Sequence, residues 1–274
     1  MDTADFFATH PVFSHDAFAT STGAGLARSP RTIDSLLRNH IASGRILRVR
    51  RGLYATVPPG SDAATFQPDP FLLAGHLAPD AVVAYHAALQ LRGKAYSVWH
   101  RFPMLVGGAV RPLQFRGNEF VVVHPPAHLR DRNDLGVVTE RCAGGTVRVT
   151  TLERTLVDVL DMPALGGGWE EIWRSLDTVE YFDLDAVLAY ALALESALTV
   201  ARLGFYLEQQ RERLFVEDLH LAQLAAKAPK QARYWDERRA PGKLVKPWNL
   251  IVPEQVLRGT WEEPDEAEAQ HVDA

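Results

Sequence analysis

The stretch that most restricts how this chain folds runs from Ser29 to Val57. Ser29-Pro30 has the form of a helix start, with serine as N-cap and proline at the first helical position, where its missing N–H costs nothing. Ile33, Leu36, Leu37 and Ile41 follow at helical spacing and make one apolar stripe. Gly44 ends the helix. From Arg45 to Val57 two short β-prone runs flank Arg51-Gly52, which reads as a hairpin. Upstream, Thr3 to His10 reads as a short helix stopped by Pro11. A second helix opens at Phe13 with Ser14 as its N-cap, and Ser21 to Gly25 reads as a turn. Helix, helix, turn, capped helix and basic hairpin is the order of a winged helix-turn-helix. Pro58-Pro59-Gly60-Ser61 marks its end.

Charge follows the same boundary. The first 60 residues carry seven arginines, all between positions 28 and 51, against four aspartates, a balance of +3. The remainder carries 22 basic and 30 acidic residues, a balance of −8, and the 274-residue chain totals −5. A basic module on an acidic body is one mark of a nucleic-acid reader. Arginine is the type that pairs bidentately with guanine and phosphate. A genome rich in G and C also raises arginine, so the residue choice decides nothing alone.

On the helix after Ser29 the apolar stripe leaves Arg31, Thr32, Ser35 and Arg38 on the outer face, with Arg28 and Ser29 at the start. A helix so placed enters the major groove. There Arg31 can pair with guanine O6 and N7, while the free N–H groups of the helix start face a phosphate. Arg48, Arg50 and Arg51 of the hairpin suit phosphates or the minor groove. These nine residues are the candidate DNA-binding set, for double-stranded DNA. The bland alternative is a basic surface that binds another protein.

Past Asp69 the pattern changes twice. Pro70 to Leu77 and Ala81 to Leu91 read as helices. Between Phe102 and Val149 short apolar runs, punctuated by Gly, Pro and Asn, read as an antiparallel sheet. From Leu152 helical spacing returns, with helices expected at 152–160, 169–179, 184–194, 197–211 and 217–227. Residues 240–256 read as irregular or extended. The acidic end lacks aromatic residues past Trp261 and reads as a disordered tail. The expectation is an α+β chain: an N-terminal winged helix-turn-helix over 1–60, a larger mixed domain with an antiparallel sheet and a helical C-terminal half over 61–260, and a tail over 261–274.

The residues argue against most other classes. A single cysteine, Cys142, excludes an internal disulfide and Cys-based zinc sites. His124 and His128 are four apart, but Pro125-Pro126 breaks any helix that would align them. Glu153, Asp158 and Asp161 would share one short helix with no lysine nearby. Gly166-Gly167-Gly168 lacks the Lys-Ser/Thr of a phosphate loop and reads as a tight turn. No Gly-x-Ser-x-Gly is present. No cofactor, no metal and no enzymatic activity are expected. Asp2 and Asp5 stand where a signal peptide carries positive charge, and no apolar run nears the ~20 residues of a membrane span. The expectation is a soluble, cytoplasmic chain without membrane contact.

One longer stretch, Val147-Arg148-Val149-Thr150-Thr151-Leu152-Glu153-Arg154-Thr155-Leu156-Val157-Asp158-Val159-Leu160, resembles the AbiEi-type antitoxins of type IV toxin–antitoxin systems. Phe71 to Ala74 with Ala81 to Leu89 is similar to that family's helices before the sheet. Pro163 to Gly168 is similar to its Pro-x-x-x-Gly-Gly turn, and Ala201 to Glu208 to its late helix. Ser29 to Thr32 and Arg50 to Tyr54 are similar to its N-terminal winged helix. The resemblance covers residues 10–210; the segment 227–253 and the tail fall outside it. It implies repression of the chain's own operon through upstream repeats, and neutralisation, by direct contact or by an indirect route, of a nucleotidyltransferase-like toxin encoded beside it. Physically, Thr151 suits the N-cap of the helix it precedes, Leu152, Leu156, Val159 and Leu160 make that helix's apolar stripe, and Asp158 is positioned to accept a hydrogen bond from Arg202. Two other classes stay open: a stand-alone winged-helix transcription factor with a ligand-sensing or oligomerising body, and a DNA-modifying enzyme.

Overall fold

The N-terminal segment alternates helix and strand because its aromatic residues must be covered from both sides. The computed structural model describes residues 2–23, 30–132, 134–259 and 261. Helix α1 (Thr3–Thr9) leads into strand β1 (Val12–Ser14), helix α2 (His15–Gly23), helix α3 (Pro30–Ala42) and the hairpin β2 (Ile46–Arg50) and β3 (Leu53–Thr56). The expected N-cap is present at Ser14, whose Oγ accepts from Ala17 N–H at 3.1 Å. The expected cap at Ser29 lies outside the described residues, as do Arg28 and residues 262–274. Helix α2 runs to Gly23, over the start of the expected turn.

Strand β1 is a departure from the expectation, which had helix from Phe13. Three residues after Pro11 are too few to show alternation, yet β1 pairs with β3, giving an antiparallel sheet in the order β1-β3-β2. Its two faces serve two cores. Phe13, Ile46 and Tyr54 pack with Phe6, Phe18, Ile33 and Leu37 of the three helices. Val12, Leu47, Val49, Leu53 and Ala55 on the other face pack with Leu72, Leu73, Leu77, Val147 and Val149. The strands therefore read as nearly continuous apolar runs rather than as half-buried ones.

That second core belongs to a six-stranded sheet. Helix α4 (Pro70–His76), strand β4 (Val82–Val83), helix α5 (Tyr85–Leu91) and strands β5 (Arg101–Leu105), β6 (Leu113–Phe115), β7 (Asn118–Val123), β8 (Val137–Cys142) and β9 (Gly145–Thr150) follow in turn. The strand order is β6-β7-β5-β4-β9-β8. The expected antiparallel sheet is mixed: β5 runs parallel to β7 and β4 parallel to β9. The expected helix from Ala81 to Leu91 is divided. Val82 and Val83 are a central strand with neighbours on both edges, and the helix starts only at Tyr85. Two valines flanked by alanines carry no period of their own, so only pairing reveals them as strand.

Helix α6 (Leu152–Asp161) begins with Thr151 Oγ1 accepting from Arg154 N–H at 3.3 Å, as a cap residue does. The chain's two compact units divide within this helix, after Thr155. The second unit continues with α7 (Pro163–Gly166), α8 (Trp169–Asp177), α9 (Leu184–Ala193), α10 (Ala197–Gln209) and α11 (Asp218–Ala225). Then come β10 (Arg233–Tyr234), β11 (Gly242–Val245), β12 (Leu250–Pro253) and α12 (Glu254–Arg258). The three strands form a sheet in the order β10-β12-β11, in a region whose sequence reads as irregular or extended. The glycine turn is as expected: Gly167 and Gly168 take φ of 100° and 88° between α7 and α8, a region only glycine enters cheaply.

Helix α10 explains why Arg202, Gly204 and Glu208 stand together. A Cβ on Gly204 would lie 2.2 Å from the Trp248 ring, so only glycine lets that indole seat against the helix. Trp248 Nε1 donates to Glu208 at 2.8 Å. Buried Arg202 donates to the carbonyls of Trp235 and Leu160, its guanidinium 5.1 Å from the Trp169 ring. Asp158 does not receive Arg202, contrary to expectation. It accepts from Tyr190 Oη at 2.6 Å, because the guanidinium is drawn to carbonyls at the end of α6 and on the strand segment.

Candidate nucleic-acid interface

Helix α3 buries Ile33 and Leu37 and half-buries Leu36 and Ile41, which turns the opposite face to solvent. Arg31, Thr32, Ser35 and Arg38 are all exposed on that face. Ser35 Oγ donates to Arg31 O at 2.9 Å, and Arg38 Nη2 donates to Ser35 Oγ at 3.3 Å, so Arg38 lies along the helix surface.

The hairpin brings further arginines to the same side. Arg48 and Arg51 line a groove of about 490 Å³ with Arg38, Asp34, His15 and Tyr54. Arg48 is opposite Tyr54 in the register, and Tyr54 faces the helices, so Arg48 does too. His15 is a residue that sequence reasoning does not single out. Its Nε2 lies 3.1 Å from Asp34 Oδ1, which ties the start of α2 to α3. The signal is hidden because the pair spans 19 residues, so no local pattern carries it.

Arg50 does not join this groove. The pairing of β2 with β3 slips between Arg48 and Arg50, so that Arg50 faces Leu53. Such a bulge places one extra residue in a strand and re-aims the side chains after it. Leu53 belongs to the second core, and Arg50 follows it to that side, where its Nη2 donates to Leu77 O. Burial there lowers its pKa from the usual guanidinium value. Of the nine expected DNA-binding residues, then, Arg38, Arg48 and Arg51 line one groove, Arg31, Thr32 and Ser35 are exposed on α3, Arg50 serves the fold, and Arg28 and Ser29 lie outside the described residues.

Three of the groups weighed for catalysis or metal binding have these partners. Asp158 is buried against Tyr190, Asp161 accepts from Thr199 Oγ1, and His124 Nδ1 lies 2.9 Å from Val106 O. Cys142 hydrogen-bonds to Asp69 at 3.5 Å. Burial, and then the Asp69 carboxylate, push its thiol up to about 12. Among the described residues no cluster of His, Cys, Asp or Glu is placed to hold a metal ion, and no helix is long and apolar enough to cross a membrane.

No family model matches this chain, and no curated protein matches it. Among solved structures it is similar to the RV2827C protein from Mycobacterium tuberculosis, at 20% identity with a TM-score of 0.56. The likeness covers 92% of this chain and 90% of that one, so it is a likeness of fold over nearly the full length of both.

Proposed function

We propose that this chain is a DNA-binding autorepressor and the antitoxin of a type IV toxin–antitoxin pair, with residues 1–60 acting as a winged helix-turn-helix and the body neutralising a nucleotidyltransferase-like partner encoded nearby. One observation carries the DNA half of this reading: Arg38, Arg48 and Arg51, from two elements, line a single groove, and Arg31 is exposed on the same helix as Arg38. Docked on a duplex, α3 would present Arg31 to base edges while the groove arginines neutralise phosphates. The sequence resemblance from residue 10 to 210 supports the antitoxin half.

The test is a mobility shift on the promoter upstream of the chain's own gene, for the full chain and for Arg38→Ala/Arg48→Ala/Arg51→Ala. Tight, salt-sensitive binding that the triple variant loses is the expected result. Absence of binding by the unaltered chain at moderate salt would remove the autorepressor reading.

A second reading has its own support. A cavity of about 720 Å³ is lined by Val12, Thr56 and Pro58 of the N-terminal segment and by Trp99, Phe102 and Arg116 of the six-stranded sheet region. That size suits a small ligand. A stand-alone winged-helix transcription factor could sense one there. A metabolite that changes promoter affinity, in a chain with no neighbouring toxin gene, would favour it.

A further inference from the structure

We infer that His15 belongs to the phosphate-binding groove and takes up a proton from solvent when a duplex enters it. This inference rests on the proposed DNA-binding role, and adds to it a residue and a regulation that the role does not require.

His15 stands where three elements meet. Its backbone N–H donates to Gly52 O at 2.9 Å, at the turn between β2 and β3 beside Arg51. Its ring reaches α3, with Nε2 3.1 Å from Asp34 Oδ1. Nδ1 lies 3.3 Å from Asp16 Oδ1, on its own helix. The ring is thereby held in the groove of about 490 Å³ that Arg38, Arg48 and Arg51 line.

Both ring nitrogens face carboxylate oxygens, and that decides which protonation state suits the site. A neutral imidazole has one N–H, so one of its nitrogens would turn a lone pair towards a carboxylate. The imidazolium donates at both. Histidine is the side-chain type whose charge ordinarily changes between about pH 5 and 8.

The groups around the ring show what the added charge offsets. Asp16 comes from α2, Asp34 and Arg38 from α3, and Arg48, Arg51 and Tyr54 from the hairpin. Arg38 donates to the Asp34 carbonyl and to Ser35 Oγ. Among the described residues the Asp34 carboxylate is paired with His15 and with no arginine, and Arg48 and Arg51 form no ion pair. A phosphodiester drawn to those two arginines would meet the Asp34 carboxylate, a like charge. A proton on His15 neutralises that carboxylate from inside the groove. Duplex binding therefore favours the protonated ring, and by linkage the proton favours duplex binding. The bound state holds more protons than the free one, so affinity rises as pH falls.

The experiment is fluorescence anisotropy with a labelled duplex of the promoter upstream of the chain's own gene, at pH 6 and pH 8 and constant salt. The proteins are the unaltered chain, His15→Gln and Asp34→Asn, each melted at both pH values. The unaltered chain should bind about fivefold tighter or more at pH 6. His15→Gln, whose amide can donate to Asp34 but cannot take a proton, should lose that gain. Asp34→Asn should bind more tightly than the unaltered chain at pH 8, because the charge that the proton offsets is gone. Histidines elsewhere act alike in all three proteins. Calorimetry in two buffers of different ionisation enthalpy should show proton uptake on binding near pH 7, and this measurement on the unaltered chain decides alone if a variant melts early. Three results overturn the inference and leave the DNA-binding role standing: no proton uptake, full pH dependence in a folded His15→Gln, or weaker binding by a folded Asp34→Asn at both pH values. If the unaltered chain binds no duplex at either pH, the DNA-binding role falls and this inference with it.

Discussion

Two arginines nineteen residues apart show how differently one side-chain type is used. Arg31 is exposed at the start of α3, and Arg31→Ala is expected to cost about 1–3 kcal/mol at the specific operator while leaving the fold intact. Arg50 is tied to the Leu77 carbonyl beside a buried core. Arg50→Ala is expected to lower the melting temperature by a few degrees, since a buried acceptor loses a charged donor worth about 1.5–3 kcal/mol, with operator affinity of the folded protein unchanged. Calorimetric melts beside mobility shifts separate the two outcomes. Gly204 reports on the second unit. Alanine normally favours a helix by about 1 kcal/mol over glycine. Here its methyl would enter the Trp248 ring, so Gly204→Ala should destabilise by about 1–3 kcal/mol in thermal or denaturant unfolding. Cys142 supplies a test by pH. Its thiol is held near 12 when folded against 9.0 unperturbed, so the unfolded state releases its proton first as pH rises. Stability should fall between pH 9 and 12 more steeply than in Cys142→Ala, and the folded thiol should resist alkylation at pH 8.

At the scale of elements, the β2–β3 hairpin divides its arginines by a single irregularity. Without the slip after Arg48, strict alternation would turn Arg50 to the same side as Arg48. With it, the hairpin gives two arginines to the groove and one to the core. If Arg38, Arg48 and Arg51 each neutralise a phosphate, the triple alanine variant should reduce the slope of log affinity against log salt by roughly 0.9 for every phosphate it leaves unneutralised. An unchanged slope across a salt titration would mean that the groove faces something other than a duplex. Helix α6 teaches a related point. Its sequence reads as amphipathic, yet Arg154, Thr155 and Asp158 are buried with the apolar residues. Arg154 donates to Leu135 O at 2.7 Å and Thr155 to Thr151 O at 2.6 Å, so each polar group enters the interior with a partner.

For the whole molecule, the shared core of the first unit matters most. Val12, Leu47, Val49, Leu53 and Ala55 pack on residues of α4 and β9. Deletion of residues 1–60 should therefore expose that apolar face, and the remaining chain is expected to bind a hydrophobic dye and aggregate rather than to behave as an independent domain. Circular dichroism and light scattering of the truncated chain decide this, and point variants are the cleaner probe of DNA binding. What residues alone determined were the features that depend on neighbours in sequence. These are the stripe of α3, the cap at Ser14, the cap at Thr151, the glycine turn before α8 and the hairpin at Arg51-Gly52. Local spacing and turn chemistry set each of them. Tertiary structure decided whatever depends on partners far along the chain. It made Val12–Ser14 and Val82–Val83 strands, since such short segments become strand only by pairing. It mixed parallel with antiparallel neighbours in the six-stranded sheet, because hydrophobic runs do not encode direction. It drew Arg202 to the Trp235 carbonyl and brought His15 to Asp34. No local pattern contains such pairs, because side chains so far apart in sequence meet only when the fold has closed.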